Sequence, residues 1–221
     1  MAAVFVSPVV STVKNLGLTL DTNLNFDAHV NLIVSHCYKL LRDIGRIRSL
    51  LSQKQAEALV HSVISSRLDY CNSVFYGINK GTLDKLQKLQ NAAARLIARQ
   101  KKRKSIRPFM RSLHWLRVEE RIIFKVLLMT YKCLNNIAPV NLASLLKPNR
   151  QNPSLLEIPI FKTNYGRRSF EYIAPCLWNE LPIKVTLCKT VENFKSKLKT
   201  FLYNDFDGFK SRINKYTTII M

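Results

Sequence analysis

Apolar residues at helical spacing recur along most of this 221-residue chain, and several of the runs open on a residue that caps helices. Nothing else in the sequence constrains the fold as much. From about Phe26, the residues Val30, Ile33, Val34, Cys37, Leu41 and Ile44 fall on one stripe of a 3.6-residue period, which predicts a helix with one face in a core. Gly45 weakens it near its end. Ser52-Gln53-Lys54-Gln55 has the spacing of a capping box and starts a second helix, with Ala56, Leu59, Val60, Val63 and Ile64 on its inner face. Residues Tyr70 to Gly77 read either as a helix end or as a loop. Thr82 is expected to cap a third helix carrying Leu83, Leu86, Leu89, Ala93, Leu96 and Ile97. Pro108 opens a short helix. A strong one follows from Val118 to Leu134, with Ile122, Val126, Met129 and Cys133 in line. Pro139 marks the next break, and Leu142 to Leu146 is a candidate short helix. Ser169 to Trp178 should be helical and stop before Pro182. Thr190 caps a last amphipathic helix with Val191, Phe194, Leu198, Phe201 and Leu202.

Strand signal is confined to Val13–Asp21, where Leu16, Leu18 and Leu20 alternate with Asn15, Gly17 and Thr19. Only 6 glycines occur, too few for a fold built on tight turns. Residues 147–168 hold Pro148, Pro153, Pro159 and Gly166 and read as the least regular stretch. The fold class expected is mainly α: an irregular helical bundle with one short N-terminal strand or hairpin and a loop-rich C-terminal part. No internal repeat is present. Hydrophobic residues make up 47% of the chain, enough to fill a core and to exclude compositional disorder.

The net charge is +21. Such an excess repels itself and gathers polyanions, and nucleic acid is the partner it implies. The charge is uneven. Up to Val60 the basic and acidic residues nearly balance. From Arg95 to Lys125 the bases are Arg95, Arg99, Lys101, Lys102, Arg103, Lys104, Arg107, Arg111, Arg117, Arg121 and Lys125, opposed only by Glu119 and Glu120. Arg95, Arg99, Lys101, Lys102, Arg103, Lys104, Arg107 and Arg111 are therefore the candidate phosphate-contacting residues, with Arg42, Arg46 and Arg48 the next in line. Such contacts position a duplex without reading its bases. Lys101-Lys102-Arg103-Lys104 also has the composition of a nuclear-import patch or of a solvated loop. His114-Trp115 reads as a stacking platform for a base or, the favoured reading, as a buried Trp that anchors two helices.

Chemistry is conspicuous by what is missing. Two-metal polymerases need carboxylates brought together on adjoining strands. The aspartates are Asp21, Asp27, Asp43, Asp69, Asp84, Asp205 and Asp207, and none forms an Asp-Asp pair. No Gly-rich phosphate loop and no G-x-S-x-G occurs. Cys37, Cys71, Cys133, Cys176 and Cys188 are odd in number and lack a C-x-x-C pair, which fits reduced thiols and an intracellular location, nuclear or cytoplasmic. His29, His36, His61 and His114 stand at no zinc spacing. Neither catalytic residue, metal nor cofactor is expected, nor a small-molecule substrate. The apolar first residues lack the basic leader of a signal peptide, and no run approaches the roughly 20 apolar residues of a membrane span.

Several segments taken in order resemble one family. Asn15-Leu16-Gly17-Leu18-Thr19-Leu20-Asp21 with Leu24, Phe26 and His29-Val30 is the first. Ser66-Arg67-Leu68-Asp69-Tyr70-Cys71-Asn72 follows, then Leu86-Gln87-Lys88-Leu89-Gln90-Asn91-Ala92-Ala93-Ala94-Arg95. Ser112-Leu113-His114-Trp115-Leu116 and Ala174-Pro175-Cys176-Leu177-Trp178-Asn179-Glu180-Leu181-Pro182 complete the set. Together they resemble the region after the catalytic palm in reverse transcriptases of non-LTR retrotransposons, in the jockey-like and chicken-repeat-like group. The likeness runs from about Lys14 to Leu202. Arg117 departs from it, standing where the pattern has Pro. Tyr203-Asn204-Asp205-Phe206 matches only the start of the Y-x-D-D signature; it closes a predicted helix, lacks the second Asp, and is read as chance.

The resemblance implies a position inside a larger polymerase, after its endonuclease, fingers and palm. It implies that residues 1–25 are a remnant of the palm's primer-grip edge. Residues 26–104 would be a thumb-like bundle that grips template–primer by its backbone. Residues 105–146 would be a helical extension, 147–168 a connector and 169–221 a C-terminal helical segment. The chain expected from this is a non-catalytic fragment of an RNA-directed DNA polymerase that binds RNA, DNA or their hybrid. The competing expectation is a helical protein–protein interaction module.

Overall fold

The computed structural model describes residues 11–101 and 104–217. They are mainly helical, with one two-stranded hairpin among the described residues. The chain forms two compact units. One comprises the described residues up to Cys71 together with Ile78–Leu113, the other Asn72–Gly77 together with the described residues from His114 onward.

The first unit opens with the antiparallel strands β1 (Thr12–Asn15) and β2 (Leu18–Asp21), paired Asn15 to Leu18. Of the strand or hairpin expected here, the chain forms the hairpin, folding Val13–Asp21 back on itself. Its two-residue turn, Leu16-Gly17, has φ of 46° and 83°, and two positive φ values are what a type I′ turn requires. Leu–polar alternation runs straight through the turn, so the side-chain pattern carries no trace of it. The Tyr70 hydroxyl donates to the Leu16 carbonyl and ties the turn down.

Asp21 then receives the backbone N–H groups of Asn23 (3.1 Å), Asn25 (2.9 Å) and Phe26 (2.6 Å). Burial opposes its charge, but these three donors hold the carboxyl below its ordinary pKa. They also steer the chain into α1 (Asp27–Ile47), where Val30, Cys37, Leu41 and Ile44 are buried. Near the helix start His29 is buried, and its Nδ1 accepts the Thr19 N–H at 3.2 Å. Burial lowers the imidazole pKa.

Ser52 and Gln55 form the expected capping box and open α2 (Gln53–Val60). This helix passes through a π-helical turn, His61–Ser65, into α3 (Ser66–Asp69). The cap of the next helix, α4 (Lys80–Ala98), is Asn79 and not Thr82: the Asn79 side chain accepts the Thr82 N–H at 2.8 Å. Thr82 lies one turn inside, buried, and its hydroxyl donates to Asp27 at the start of α1. Helix α4 packs on α1 and α2. Pro108 sits in the first turn of α5 (Arg107–Ser112) as expected.

The second unit is built on α6 (Val118–Leu134). Its N-cap, Arg117, has φ of −65°, the angle a proline would impose, but its N–H donates to Glu120 Oε2 at 2.7 Å, which a proline could not do. Burial raises the Glu120 pKa despite that bond. Ile122, Val126 and Cys133 point inward as expected, but Met129 faces out. Thr130 takes the inward position because its hydroxyl is satisfied by the Val126 carbonyl at 2.9 Å. The short helix after Pro139 is α7 (Val140–Ala143), earlier than the expected Leu142–Leu146, since Pro139 itself caps it.

The stretch expected to be irregular, 147–168, is so only to 163, because Thr163 caps a short helix by accepting the Gly166 N–H at 3.1 Å; residues 147–163 are irregular but stitched. Pro148 bridges Leu156, and Leu156 exchanges two 2.8 Å bonds with the Asn179 side-chain amide. The helices α8 (Asn164–Arg168), α9 (Phe170–Trp178) and α10 (Ile183–Thr186) follow. Thr190 accepts the Asn193 N–H and starts α11 (Val191–Thr217), which kinks at Asp205. The core lies between α6, α9 and α11. In it Tyr131 stacks on Phe194 at 4.2 Å, and its hydroxyl donates to the Cys188 carbonyl at 2.9 Å. Glu180 closes the unit on the last turns of α11, accepting from Lys215 (2.6 Å) and from the Tyr216 hydroxyl (3.0 Å).

Phe75, 1% exposed, and Tyr76 also belong to this unit. The turn after them needs Gly77: its φ is 73°, and a Cβ there would meet Arg168 Cγ at 2.9 Å.

Candidate nucleic-acid interface

The first unit carries most of the basic run, and its helices sort those residues into two kinds. Arg99 ends α4 in the left-handed conformation, with Gln100 N–H donating to Arg95 O at 3.0 Å and Arg99 N–H to Leu96 O at 3.4 Å. That is a Schellman-type stop with arginine where glycine is usual. The Arg99 guanidinium turns back and donates to the carbonyls of Arg48 (2.9 Å), Ser49 (3.3 Å) and Leu51 (3.3 Å). Arg48 does the reverse. Only 9% exposed, it donates to Leu96 O (2.9 Å), Ile97 O (2.6 Å) and Leu51 O (2.7 Å). Two arginines thus cap each other's helix ends, where unsatisfied carbonyls and the helix dipole favour cations. Burial and the like charge of Arg99 lower the Arg48 pKa.

The other kind is solvated. Lys101, Lys104, Arg107 and Arg111 are exposed. Arg107 and Arg111 stand one turn apart on the same side of α5. Among the described residues no acidic side chain pairs with Lys101, Lys104 or Arg107. Arg95 is half-buried, with its Nε enclosed. Lys102 and Arg103 lie outside the described residues.

Helix α1 adds a basic stripe of its own. Lys39, Arg42 and Arg46 are exposed at positions i, i+3 and i+7, on the side opposite Val30, Cys37, Leu41 and Ile44. Arg46 is paired at 3.3 Å with the exposed Asp43, a contact of little energetic weight. Of the helix candidates, Arg42 and Arg46 are on this stripe and Arg48 is not. A cleft of about 670 Å³ opens beside α1, lined among others by Lys14, His36, Arg67 and Tyr70 and by no carboxylate. Arg67 is oriented there by donation to Val63 O at 2.6 Å.

Trp115 is buried and presents no ring face to a base, while His114 is exposed. Asp205, in the Y-x-D-like tetrad, lies at the kink of α11 and pairs with Arg212 at 3.1 Å. Among the described residues no three His, Cys, Asp or Glu side chains gather as metal ligands, and no helix is long and apolar enough to cross a membrane.

No protein-family model, curated protein or solved structure matches the chain.

Proposed function

We propose that the chain is a non-catalytic, sequence-indifferent nucleic-acid-binding module, derived from the thumb and C-terminal region of a non-LTR retrotransposon reverse transcriptase. The observation that carries the reading is the solvated basic surface of the first unit: Lys39, Arg42, Lys101, Lys104, Arg107 and Arg111 are exposed. A helix face of this kind tracks a phosphate backbone, and each neutralised phosphate releases counterions. The ordered segments that resemble the polymerase family support the origin. In this reading catalysis belongs to carboxylates of a palm, and the chain supplies grip alone.

Fluorescence anisotropy with an RNA–DNA hybrid and with two unrelated DNA duplexes, across a salt series, tests it. Two variants are compared with the natural chain: Lys101, Lys102, Arg103 and Lys104 all replaced by Gln, and Lys39 and Arg42 replaced by Gln. Each should weaken binding to all three ligands about equally. Each lost phosphate contact should flatten the log–log salt slope by roughly 0.9 on B-DNA. Unchanged affinity and slope in both variants would refute the reading. Lost nuclear import with binding intact would assign the 101–104 run to import instead. Primer extension on an RNA template by the pure chain should yield no product, and template-dependent product would refute the absence of catalysis.

A further inference from the structure

We infer that the second unit carries a docking groove for an acidic, amphipathic peptide segment of a partner protein. The groove, about 620 Å³, runs between α10 and the first turns of α11. Among its lining residues Val185 is buried and Phe201 half-buried, while Pro182, Leu187, Lys184 and Lys197 are exposed.

Three observations point to this occupant. The first is apolar exposure where a folded chain has no internal use for it. Leu187 is 72% exposed, and Ile183, one turn earlier, is 67% exposed. Leu187 lines the groove and Ile183 extends the exposed apolar surface next to it, the kind of patch that receives anchor residues. The second is the sign of the rim. The charged residues that line the groove are Lys184 and Lys197, and no carboxylate lines it. The rim therefore favours Asp and Glu flanking the anchors and repels a basic helix. The third is the fixed geometry. Lys197 Nζ donates across the groove to the Lys184 carbonyl at 3.3 Å, and the Phe201 ring meets Phe209 in a T-shaped contact at 5.4 Å. Groove walls already tied to each other lose little freedom on binding.

Nucleic acid fits this surface less well. Phosphates match the lysines but have no use for Leu187, and the half-buried Phe201 is already in ring contact with Phe209, which leaves it a poor platform for a base. A second copy fits poorly as well. The chain's densest acidic–apolar stretch is Asp205, Phe206, Asp207 and Phe209. There Phe206 and Phe209 are buried and Asp205 is held by Arg212.

The test uses the full chain and fluorescein-labelled 15-residue peptides in two designs. One is helical, with Leu at i, i+3, i+4 and i+7 among Glu residues; the other alternates Leu and Glu. Controls replace Leu with Ser, or Glu with Lys. At least one Leu–Glu design should bind saturably, and both controls should bind roughly tenfold or more weakly. The double variant Ile183→Ser with Leu187→Ser leaves charge unchanged, and its exposed sites leave the fold intact by circular dichroism. It should lose binding by a similar factor, as should Lys184→Glu with Lys197→Glu. No saturable binding of either design overturns the proposal. So does equal binding of the Leu-to-Ser peptide, which would show charge attraction alone. Displacement of the peptide by an RNA–DNA hybrid to the same extent in the natural chain and in the Ser variant would assign the surface to nucleic acid. A dimer in sedimentation that the Ser variant dissolves would assign the groove to a second copy.

Discussion

Replacing Arg48 separates architecture from binding in a way the charge map alone cannot. The side chain makes three hydrogen bonds to main-chain carbonyls, of Leu96, Ile97 and Leu51, from a position 9% exposed. Hydrogen bonds from a charged donor contribute about 1.5–3 kcal/mol each when truncation leaves the acceptor buried. The end of α4 can admit water once the guanidinium is gone, and the like charge of Arg99 is relieved. A net loss of about 3 kcal/mol is therefore expected for Arg48→Ala, against a total stability of roughly 5–15 kcal/mol for a domain. Arg48→Lys keeps the charge at the helix end but cannot reach three carbonyls from one point, and should lose about half as much. Urea denaturation followed by circular dichroism measures both. With a slope of about 1–3 kcal/mol/M, the Ala midpoint should fall by roughly 1 M or more. Binding by the folded fraction should keep the natural salt slope, because Arg48 cannot reach a phosphate. An Arg48→Ala chain within about 0.5 kcal/mol of the natural one would refute the reciprocal capping, and a flattened salt slope would refute the assignment of Arg48 to the interior.

Two further outcomes are expected. His29 is held neutral by burial with Nδ1 accepting from Thr19, so its folded pKa lies below that of the unfolded chain. The unfolded state then binds the extra proton, and stability should decline as pH falls below about 6.5 toward the folded pKa. Thermal melts between pH 5 and 8 should show His29→Gln losing part of that decline; identical pH profiles would count against it. Tyr131→Phe removes only the buried bond to Cys188 O while keeping the stack on Phe194, and should cost about 1 kcal/mol or slightly more in urea titration. No loss would mean that the hydroxyl bond is not formed in solution.

Local chemistry was legible in the sequence and distant chemistry was not. The Ser52–Gln55 box, Pro108 and Thr190 act within three residues of themselves, so their spacing announces the helices that they start. Asn79 and Thr82 are both capping types. What decides between them is that the Thr82 hydroxyl is drawn to Asp27, 55 residues away. Met129 and Thr130 exchanged places for a related reason: a threonine that bonds its own helix carbonyl can be buried. The site divides in the same manner. Lys39, Arg42 and Arg46 share a helical period and could be placed opposite the apolar stripe from the sequence alone. Arg48 and Arg99 look like their neighbours in composition, and only the carbonyls some 50 positions away that they reach for mark them as structural.

The membership of Asn72–Gly77 in the second unit has a consequence for how the chain is made. A ribosome delivers Phe75 well before α6, the helix against which residues 72–75 pack. At about 5–20 residues per second, the roughly 60 residues from Phe75 to the end of α6 take on the order of several seconds to emerge. Through that interval the aromatic loop has no pocket yet. Any cut that ends the chain after Leu113 makes the wait permanent. Such a fragment carries Phe75 and Tyr76 into solvent, and a shielding chaperone or an added fusion partner should raise its soluble yield far more than it raises that of the full chain.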